Sequence, residues 1–552
     1  MKPIGIGIDD FREIILTNSF YVDKTKFIEE LEKDTSKVQL ITRPRRFGKS
    51  LNMSMLKYFY NIENRDENRK LFSNLYIEKS PIFSEQGKYP IIFISFKDIK
   101  ADNLEEMYLQ LRRNFSELFD NYKFLRESLD ERALEIFDSI WKENVEGNYS
   151  NSLKFLSKCL NEYYNQEVIL LIDEYDTPII SAYEYGYYDE IKTFFTTMYG
   201  SVLKGNLSLK KAVLTGIMRI SKENIFSGLN NIKVNSILER DFSEYFGLTE
   251  EEVEDSLKCY EIEYRLDEIK TWYNGYNFGG VRLYNPFSIT NFLKRDKIMP
   301  YWVNTSSNTL INKVLKEASS SVFKELSKLF QGEVIEKTID IYSNFNELRN
   351  TEQIWYLLTN AGYLTPVKEI DYDKYSLKIP NEEVHYFFER DFIKSFLGGR
   401  DDFDSVLRYF LDGDFENFTY ELEEIMLTNV SCFDFDSNAD EAYYHVFILG
   451  MMLALRREYY IRSNREAGRG RYDLILEPKD KSKNGFVIEF KVVKDKETLE
   501  KESQEALSQI EKNRYDVELR ERGVESIYYV GMSFHKREFK LAWKNNCTEV
   551  IS

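Results

Sequence analysis

The chain has 552 residues and a formal net charge of −18, with 43% hydrophobic and 30% charged residues. This composition is ordinary for a globular protein of about three or four domains, and the negative charge argues against a general nucleic-acid coat. The longest apolar run, residues 446–455, is far shorter than the roughly 20 residues that span a bilayer. The four cysteines are scattered, without the paired spacing of zinc sites or disulfides. With no apolar segment at the N-terminus, we expect a cytoplasmic protein without a membrane segment.

A basic octet, residues 43–50 (RPRRFGKS), follows an apolar run at residues 38–42. An apolar segment with helical periodicity follows it at residues 51–60. Strand, tight loop and helix in this order are typical of a phosphate-binding loop. Lys49 is placed to reach terminal phosphates and the Ser50 hydroxyl to ligate Mg²⁺. Arg43 takes the place of the usual first glycine, so a basic turn capping an ordinary helix stays open as the alternative. The predicted nucleotide contacts are Arg45, Arg46, Phe47, Gly48, Lys49 and Ser50.

A pair of acids forms the predicted second half of this site. After a strand at 91–95 and charged helical sequence at 104–165, the branched run 168–172 predicts a strand buried on both faces of a parallel sheet. Asp173 and Glu174 follow at its carboxyl end, where open α/β sheets bind ligands. We expect Asp173 to hold Mg²⁺ and Glu174 to act as the catalytic base. Two acids in a surface turn after a core strand would be the ordinary alternative.

A further core strand at 211–216 ends in a polar residue. In ATPases with an additional central strand, such a residue contacts the γ-phosphate or the attacking water, which Thr215 is placed to do. A threonine before a glycine is also common in a simple turn, so both interpretations stay open. Arg219, four residues later, is a candidate charge-stabilising arginine.

Residues 244–320 predict a small helical lid with a hairpin. Thr249 followed by Glu252 forms a capped helix start, and Asn285 precedes a proline that opens another helix. Aromatic-flanked Gly turns lie between these helices. Residues 320–440 predict mostly amphipathic helices with short strands near 364–380, and no chemistry.

A second group of candidate catalytic and metal-binding residues lies in a predicted hairpin near the C-terminus. Its first strand, 471–476, contains Asp473, and its second, 486–491, contains Glu489 and Lys491 on one face because residues i and i+2 of a strand point the same way. Two carboxylates and a lysine suit metal-dependent phosphodiester hydrolysis, with Lys491 positioning water or stabilising charge. An amphipathic hairpin with exposed charges is the alternative. Accessory positions are Glu441, a possible third carboxylate opening an apolar helix, and Gln509 and Tyr515, on or near a later helix.

The charge of the chain is unevenly placed. Residues 441–552 carry a net +2, so the other 440 residues carry −20. A local arginine cluster in this tail suits a polyanion, although such clusters are usually solvated faces. Its members are Arg456, Arg457, Arg462, Arg465, Arg469 and Arg471.

Several of these motifs resemble the bacterial AAA-ATPase-like proteins, which are similar to the signal-transduction-type ATPases of the P-loop class. They are Asp23-Lys24-Thr25, the octet RPRRFGKS, IDEYD at 172–176, Thr215-Gly216 with Arg219-Ile220-Ser221, Asn274-Gly275-Tyr276 and Tyr284-Asn285-Pro286-Phe287. The family's loop also lacks the first glycine, so Arg43 fits the resemblance. It implies an ATP-binding site that uses Mg²⁺.

The tail looks like a PD-(D/E)XK nuclease domain, in which the family often ends. Asp473, Glu489 and Lys491 resemble the core motif, and Glu441 and Gln509 stand at positions similar to accessory residues. The two resemblances cover nearly the whole chain except about 320–430. They imply Mg²⁺, or Mn²⁺ at the nuclease-like site, and a nucleic-acid substrate, DNA in preference to RNA.

Together these observations predict an α/β protein with a P-loop NTPase sheet of the additional-strand type and a helical, winged-helix-like lid. A helical middle region and a C-terminal α/β nuclease-like domain follow. The expected domains are 1–243, 244–320, 321–430 and 431–552. We expect an ATP-binding and hydrolysing protein whose ATP state controls nucleic-acid cleavage. The alternative is an ATP-driven switch or scaffold whose tail binds nucleic acid or protein without cutting. Oligomeric state, substrate strand type and pathway stay open.

Overall fold

The computed structural model describes most of the chain as two compact units. The described residues are 1–219, 226, 231–303, 320–339, 353–388, 403–429, 441–456, 458–463, 466–467 and 470–546. The first unit is Met1–Ser306 with Lys337–Tyr375 and Pro380–Glu383, and the second is Ser307–Glu336 with Ser376–Ile379 and Val384–Ser552. No helix in the described ranges is both long and apolar enough to cross a membrane. The domain boundaries drawn from the sequence at 243, 320 and 430 stay a prediction.

A five-stranded parallel sheet forms the centre of the first unit. Its strands are β1 (Val38–Thr42), β2 (Ile91–Ser95), β3 (Val168–Asp173), β4 (Leu209–Gly216) and β5 (Ile232–Asn235). Their order is β2-β3-β4-β1-β5. β4 therefore lies between the strand of the basic octet and the strand of the paired acids, which confirms the additional central strand. Because all five strands run parallel, their carboxyl ends meet at one edge, with Ile41 opposite Thr215 and Ser95 opposite Asp173.

Nine helices surround this sheet in the described part of residues 1–219. They are α1 (Phe11–Leu16), α2 (Lys26–Lys33), α3 (Lys49–Tyr60), α4 (Arg65–Lys70), α5 (Leu104–Asp120), α6 (Glu131–Trp141), α7 (Ser152–Tyr164), α8 (Thr177–Tyr185) and α9 (Tyr188–Leu203). One apolar core joins α1, α2 and α3 to the sheet. Many side chains of this core are aromatic, and Phe11, for example, stacks on Phe72 with ring centroids 5.0 Å apart.

The predicted lid is a small helical subdomain with a hairpin. It consists of α10 (Glu250–Cys259), α11 (Leu266–Tyr273), β6 (Tyr276–Phe278), β7 (Val281–Leu283) and α12 (Pro286–Arg295). Thr249 and Glu252 form the predicted capping box, and the Asn285 side chain accepts hydrogen bonds from the first turn of α12. These helices share a separate apolar core that includes Tyr273 and Phe292.

The middle of the chain is mostly helical, with the expected short strands. Its described elements are α13 (Ser320–Phe330), β8 (Ile335–Thr338), α14 (Gln353–Asn360), β9 (Thr365–Asp371), β10 (Lys374–Lys378), α15 (Glu382–Phe387), α16 (Phe403–Asp412) and α17 (Phe415–Asn429).

The second unit contains a mixed five-stranded sheet in the order β11-β14-β15-β16-β17. Its elements are α18 (Glu441–Leu453), β11 (Tyr459–Ser463), β12 (Glu466–Ala467), β13 (Gly470–Arg471), β14 (Leu474–Pro478), β15 (Gly485–Val492), α19 (Leu499–Asn513), α20 (Val517–Glu521), β16 (Ile527–His535) and β17 (Glu538–Asn545). β15 and β16 run parallel, and the other pairs are antiparallel.

Two details of this sheet bear on the predicted site. The first hairpin strand begins at Leu474 instead of 471, because Arg471 pairs with Glu466 in the separate β12–β13 ladder. Gly531 lies under α19 so closely that a Cβ atom there would come within 2.3 Å of the Ser503 carbonyl. Glycine is therefore required for this helix to rest on the sheet beside Glu489, which pairs with Gly531.

Candidate functional site

The basic octet forms a tight loop between β1 and α3 at the carboxyl edge of the sheet. Arg46 and Gly48 both take left-handed backbone conformations, with φ of 66° and 80°. The loop begins with a hydrogen bond from the Arg43 amide to the Gly216 carbonyl at 3.0 Å. Helix α3 begins at Lys49 directly after the loop, without a side-chain cap, and such a helix start favours an anion.

Lys49 is buried within this loop. Its ammonium donates to the carbonyls of Arg43 and Pro44 at 3.1 and 3.0 Å. Burial lowers the pKa of Lys49 below its usual value, although Glu174 and Asp173 act in the opposite direction. An ammonium held by carbonyls beside a cavity is well placed to gain a phosphate as its counter-charge.

The Asp173 carboxylate accepts hydrogen bonds from the hydroxyl groups of two different segments. Ser50 donates to one carboxylate oxygen at 2.7 Å, and Thr215 donates to the other at 2.5 Å. Burial raises the pKa of Asp173 above its usual value, against the effect of these hydrogen bonds. A buried carboxylate beside a hydroxyl supplies the hard oxygen donors that Mg²⁺ prefers, so these residues fit that ion. The Thr215 hydroxyl is thus bound to Asp173, and its predicted contact with a phosphate or with the attacking water stays a prediction.

Glu174 follows β3 with a left-handed backbone, at φ 51°. Its side chain lines the adjacent cavity, and its Oε2 accepts a hydrogen bond from the Thr177 hydroxyl at 3.1 Å. Left-handed backbone is uncommon for residues other than glycine and clusters at functional sites. The carboxylate is therefore directed by both its backbone and a fixed hydroxyl donor.

A cavity of about 370 Å³ opens in front of the loop. Lys49, Ser50 and Glu174 line one side, which gives it a polar end. Apolar residues of the N-terminal segment and of the lid line other parts of it, together with charged residues such as Lys97 and Asp98, and these apolar parts suit the flatter, less polar part of a nucleotide. These apolar lining residues include Ile6, Ile8, Tyr21, Val22, Leu248 and Phe287.

The other predicted loop contacts divide between two roles. Arg45 and Arg46 line the cavity, and the Arg46 guanidinium lies 4.9 Å from the centre of the Phe287 ring. The Phe47 ring packs against Tyr276 of the lid hairpin at 4.9 Å, so its side chain is structural. Any contact from Phe47 to a phosphate would be made by its backbone.

Arg219 is placed differently from the other candidates. It is 6% exposed and is not among the residues that line this cavity. Its amide donates to the Tyr356 hydroxyl at 3.1 Å, and its carbonyl accepts from the same hydroxyl at 3.0 Å. Tyr356 therefore fixes the backbone after β4, and a charge-stabilising role for Arg219 stays a prediction.

Arg43 has a structural role that its position in the sequence did not reveal. Its guanidinium is fully buried and donates to the carbonyls of Thr42 and Asn235 at 2.8 and 2.7 Å. It also lies 5.5 Å from the ring centres of Phe246 and Phe278. The residue that replaces the usual glycine thus ties the loop to β5 and to the lid hairpin.

Asp176 is a second residue whose role sequence reasoning missed. Its carboxylate is fully buried and accepts the amides of Ile217 and Met218 at 2.8 and 3.0 Å. Burial raises the pKa of Asp176 to about 6. The Tyr175 hydroxyl donates to the Met218 carbonyl at 2.7 Å. The last two residues of IDEYD therefore hold the turn after β4, and only their place within that motif gave a signal.

The Asp23-Lys24-Thr25 motif links the first unit's core to its lid. The Lys24 ammonium contacts both carboxylate oxygens of Glu252 at 2.5 and 2.6 Å, and the Glu244 carbonyl at 2.7 Å. Glu252 is the capping-box residue of α10. The Asp23 carboxylate accepts the Tyr76 amide at 2.6 Å. These contacts are structural and lie beside the cavity, which Lys24 also lines.

The second group of candidate residues lies at the start of β14 and on β15. Asp473 directly precedes Leu474, which pairs with Ile488, so Asp473 comes next to Glu489. One Asp473 oxygen accepts the Phe490 amide at 2.8 Å. Glu489 is 4% exposed. Two adjacent carboxylates supply oxygen donors suited to Mg²⁺ or Mn²⁺, so these residues fit such an ion.

Gln509 joins Glu489 and Lys491. Its amide nitrogen donates to Glu489 Oε1, and its amide oxygen accepts from the Lys491 ammonium at 2.8 Å. Both strand residues reach the same side chain of α19, which confirms that they share a face. Tyr515, the other residue noted after the hairpin, is buried against the Tyr472 ring with centroids 6.2 Å apart.

Glu441 opens α18 as expected, but its side chain lies outside the described residues. One turn later the Tyr444 ring stacks on Phe534 at 4.6 Å, and its hydroxyl donates to the Lys536 carbonyl at 2.9 Å. Across the described side chains, no three His, Cys, Asp or Glu residues are grouped closely enough to hold a metal. A third carboxylate at Glu441 stays a prediction.

The arginine cluster is only partly described. The Arg462 guanidinium contacts the Glu477 carboxylate at 2.7 Å and the Glu518 carboxylate at 2.5 Å. Because Glu477 is 2% exposed, this arginine compensates a buried charge, as do Lys481 and Arg522, which contact the same carboxylate. The part of Arg462 in a nucleic-acid patch stays a prediction. Arg457, Arg465, Arg469 and the Arg471 side chain lie outside the described residues.

Comparisons with known proteins match the two parts of the chain that contain these candidate sites. Residues 5–226 match the family described as Predicted AAA-ATPase, and residues 439–544 match the PD-(D/E)XK nuclease superfamily. A stretch of 392 residues is 28% identical to the uncharacterized protein in the vnfD 5' region of Azotobacter chroococcum mcd 1, covering 69% of this chain and 68% of that protein. The chain thus joins an AAA-ATPase-like domain at its N-terminus to a PD-(D/E)XK nuclease superfamily domain at its C-terminus.

Proposed function

We propose that this protein binds and hydrolyses ATP in its first unit and cleaves nucleic acid in its second, with cleavage controlled by the ATP state. The observation that carries the proposal is the convergence of Ser50 and Thr215 on Asp173. These three residues come from three separate segments and meet at the carboxyl edge of the sheet beside Lys49. A basic turn that merely capped a helix would not assemble them.

Each residue of the first site has a definite part in the proposed reaction. Lys49 and the first amides of α3 bind the phosphates, and Ser50 and Asp173 hold the magnesium ion. When bound, that ion neutralises charge on the phosphate oxygens. Glu174 accepts a proton from the attacking water, and the Thr177 hydroxyl keeps its carboxylate oriented. Thr215 orders the edge by holding Asp173.

The second site supports metal-dependent phosphodiester hydrolysis. Asp473 and Glu489 would hold a divalent ion, which supplies a water of lowered pKa and polarises the phosphoryl oxygen. Lys491 stabilises the negative charge that develops on the phosphate, and Gln509 orients Lys491 and Glu489 together. We favour DNA over RNA as substrate. Since ATP and nucleic acid are both cytoplasmic, we place the protein in that compartment.

One experiment tests the proposal directly. Purified full-length protein is incubated with single- and double-stranded DNA and RNA, with Mg²⁺ or Mn²⁺, and with or without ATP. We expect cleavage that needs the metal and changes with ATP, together with phosphate release from ATP. If no substrate is cut with either metal while nucleic acid is still bound, the second unit acts as a switch or scaffold and the nuclease proposal fails.

A further inference from the structure

The carboxyl ends of β15 and β16 carry a group of exposed lysines beside the second site. Lys494 follows β15, Lys536 lies in the turn between β16 and β17, and Lys540 lies on β17. All three are exposed, and Lys536 takes a left-handed backbone at φ 54°. We refer to Lys494, Lys536 and Lys540 as the lysine rim.

Strand register places the rim at the same end of the sheet as the candidate catalytic residues. Lys491 pairs with Ser533 on β16, and Ser533 pairs with Lys540 on β17, so these three side chains share one face. The Val493 amide donates to the Phe534 carbonyl at 2.9 Å, which brings Lys494 beside the end of β16. Asp473, at the start of the antiparallel β14, belongs to the same end of the sheet.

The ammonium groups of the lysine rim carry charges that no carboxylate compensates among the described residues, whereas neighbouring cations form ion pairs. Lys496 forms an ion pair with Glu538 at 2.6 Å, and Arg462 compensates Glu477. Within the described residues, the three rim ammonium groups make no hydrogen bond or ion pair with a side chain. Uncompensated lysines beside two metal-binding carboxylates attract a polyanion to a site that would otherwise repel it.

We propose that the lysine rim is the docking surface for the phosphodiester backbone of the nucleic acid that the second site cleaves. This inference rests on the proposed nuclease function and adds the surface that holds the substrate. Lysines act as point charges on phosphates, so the rim supplies affinity and position without reading sequence. Unlike Arg462 of the arginine cluster, the rim lysines have no carboxylate partner among the described residues.

The test is a triple Lys494→Gln, Lys536→Gln, Lys540→Gln variant of the full-length protein. Its matched control is Lys479→Gln with Lys483→Gln, in the turn that joins β14 and β15 at the opposite end of the sheet. Binding to a fluorescent DNA duplex is titrated over a range of salt concentrations in EDTA, which removes the divalent ion that the proposed cleavage needs. Melting temperature and ATP binding of each variant verify folding.

We expect the triple variant to bind about tenfold or more weakly at low salt, and its plot of log affinity against log salt to be shallower by about 2 to 3. The control should match the parent. Cleavage at saturating DNA should keep its kcat while KM rises, because the rim holds substrate and leaves the chemistry intact.

Three outcomes contradict the inference in distinguishable ways. If the parent binds duplex and the triple variant binds equally well, the rim is not the docking surface and the nuclease proposal stands. If kcat falls as much as affinity, the rim belongs to the catalytic machinery and docking alone is wrong. If the parent binds no nucleic acid, the proposed function fails together with the inference. Should the triple variant fold poorly, the single variants are compared, each with a slope change of about 1.

Discussion

At the scale of single residues, the proposed base and the proposed phosphate-binding groups of the first candidate site lie on different segments. Glu174 lines the cavity with its carboxylate hydrogen-bonded to Thr177, whereas the proposed phosphate-binding groups lie on the loop. We therefore expect Glu174→Gln to bind ATP like the parent but to hydrolyse it about 100-fold more slowly, because the amide keeps the shape and loses the base. Titration of a fluorescent ATP analogue and phosphate release measure the two properties. Glu190→Gln, exposed on α9, is the matched control. Hydrolysis by Glu174→Gln at the parental rate would assign the base to another residue.

The second site makes a sharper distinction among its three residues. Asp473→Ala and Glu489→Ala should each abolish cleavage and weaken Mn²⁺ binding, since each removes a ligand. Lys491→Ala should abolish cleavage while Mn²⁺ binding changes little, because an ammonium is not a ligand. Isothermal titration with Mn²⁺ and a plasmid-nicking assay check both expectations. Glu505→Ala, an exposed carboxylate on the same helix as Gln509, should alter neither. Intact Mn²⁺ binding in both carboxylate variants would remove the metal site from this hairpin.

At the scale of elements, the loop between β1 and α3 acts as a unit. Lys49 makes its two hydrogen bonds to carbonyls of the same loop, which holds the ammonium in position for a phosphate. We expect Lys49→Ala to bind Mg-ATP about 100-fold more weakly, the cost of losing about two charge-assisted hydrogen bonds. Equilibrium binding of a fluorescent ATP analogue measures this change. Lys57→Ala, two turns further along α3, serves as the control. An unchanged dissociation constant for Lys49→Ala would exclude this loop as the phosphate site.

A buried carboxylate links the lid helix α12 to the segment that precedes the middle region. Glu383 accepts the Ser288 hydroxyl at 2.7 Å and the Trp302 amide at 2.5 Å, and burial raises its pKa to about 8. The Trp302 indole in turn donates to the Arg45 carbonyl of the loop at 3.0 Å. Trp302 thus contacts both the buried carboxylate and the loop between β1 and α3.

This raised pKa gives a pH dependence of definite sign. Below about 4.3, the ordinary pKa of a glutamate, both the folded and the unfolded states bind the proton. Between that value and about 8 the folded state alone keeps it, so stability falls as pH rises, by at most about 1.4 kcal/mol per pH unit. Glu383→Gln keeps the neutral shape, so its melting temperature relative to the parent should rise from pH 6 to pH 8.5. A constant difference across this range would contradict the raised pKa.

At the scale of the whole molecule, two chemical sites lie in different units of one chain. If the ATP state controls cleavage, Lys49→Ala should cleave DNA at a rate that no longer changes when ATP is added, although Asp473 and Glu489 are intact. Asp473→Ala should conversely hydrolyse ATP like the parent. Cleavage rates with and without ATP, measured on both variants and the parent, test the coupling. A parent rate that ATP leaves unchanged would separate the two activities.

Local physics let the sequence determine much of this protein. Short apolar runs predicted β1, β2 and β3, and the branched run at 168–172 predicted that β3 is buried on both faces. The capping box at Thr249 and the helix start at Asn285 could be predicted from the sequence, because a capping side chain bonds to backbone amides within four residues of it. The alternation of Glu489 and Lys491 placed both on one face, since the period of a strand is two.

Only the tertiary structure decided which distant groups meet. Ser50 and Asp173 are 123 positions apart; their motifs predicted one shared site, whereas the direct hydrogen bond between them depends on how the strands are ordered in the sheet. The same holds for Arg43. In the sequence it looked like a departure from the phosphate-binding motif, but its buried guanidinium contacts Asn235 and Phe278 and thereby holds the loop in place. Arg462 looked like part of a basic surface, and in the structure it pairs with buried Glu477. Patterns of propensity and periodicity act over a few residues, whereas burial and charge pairing depend on packing between segments far apart in the chain.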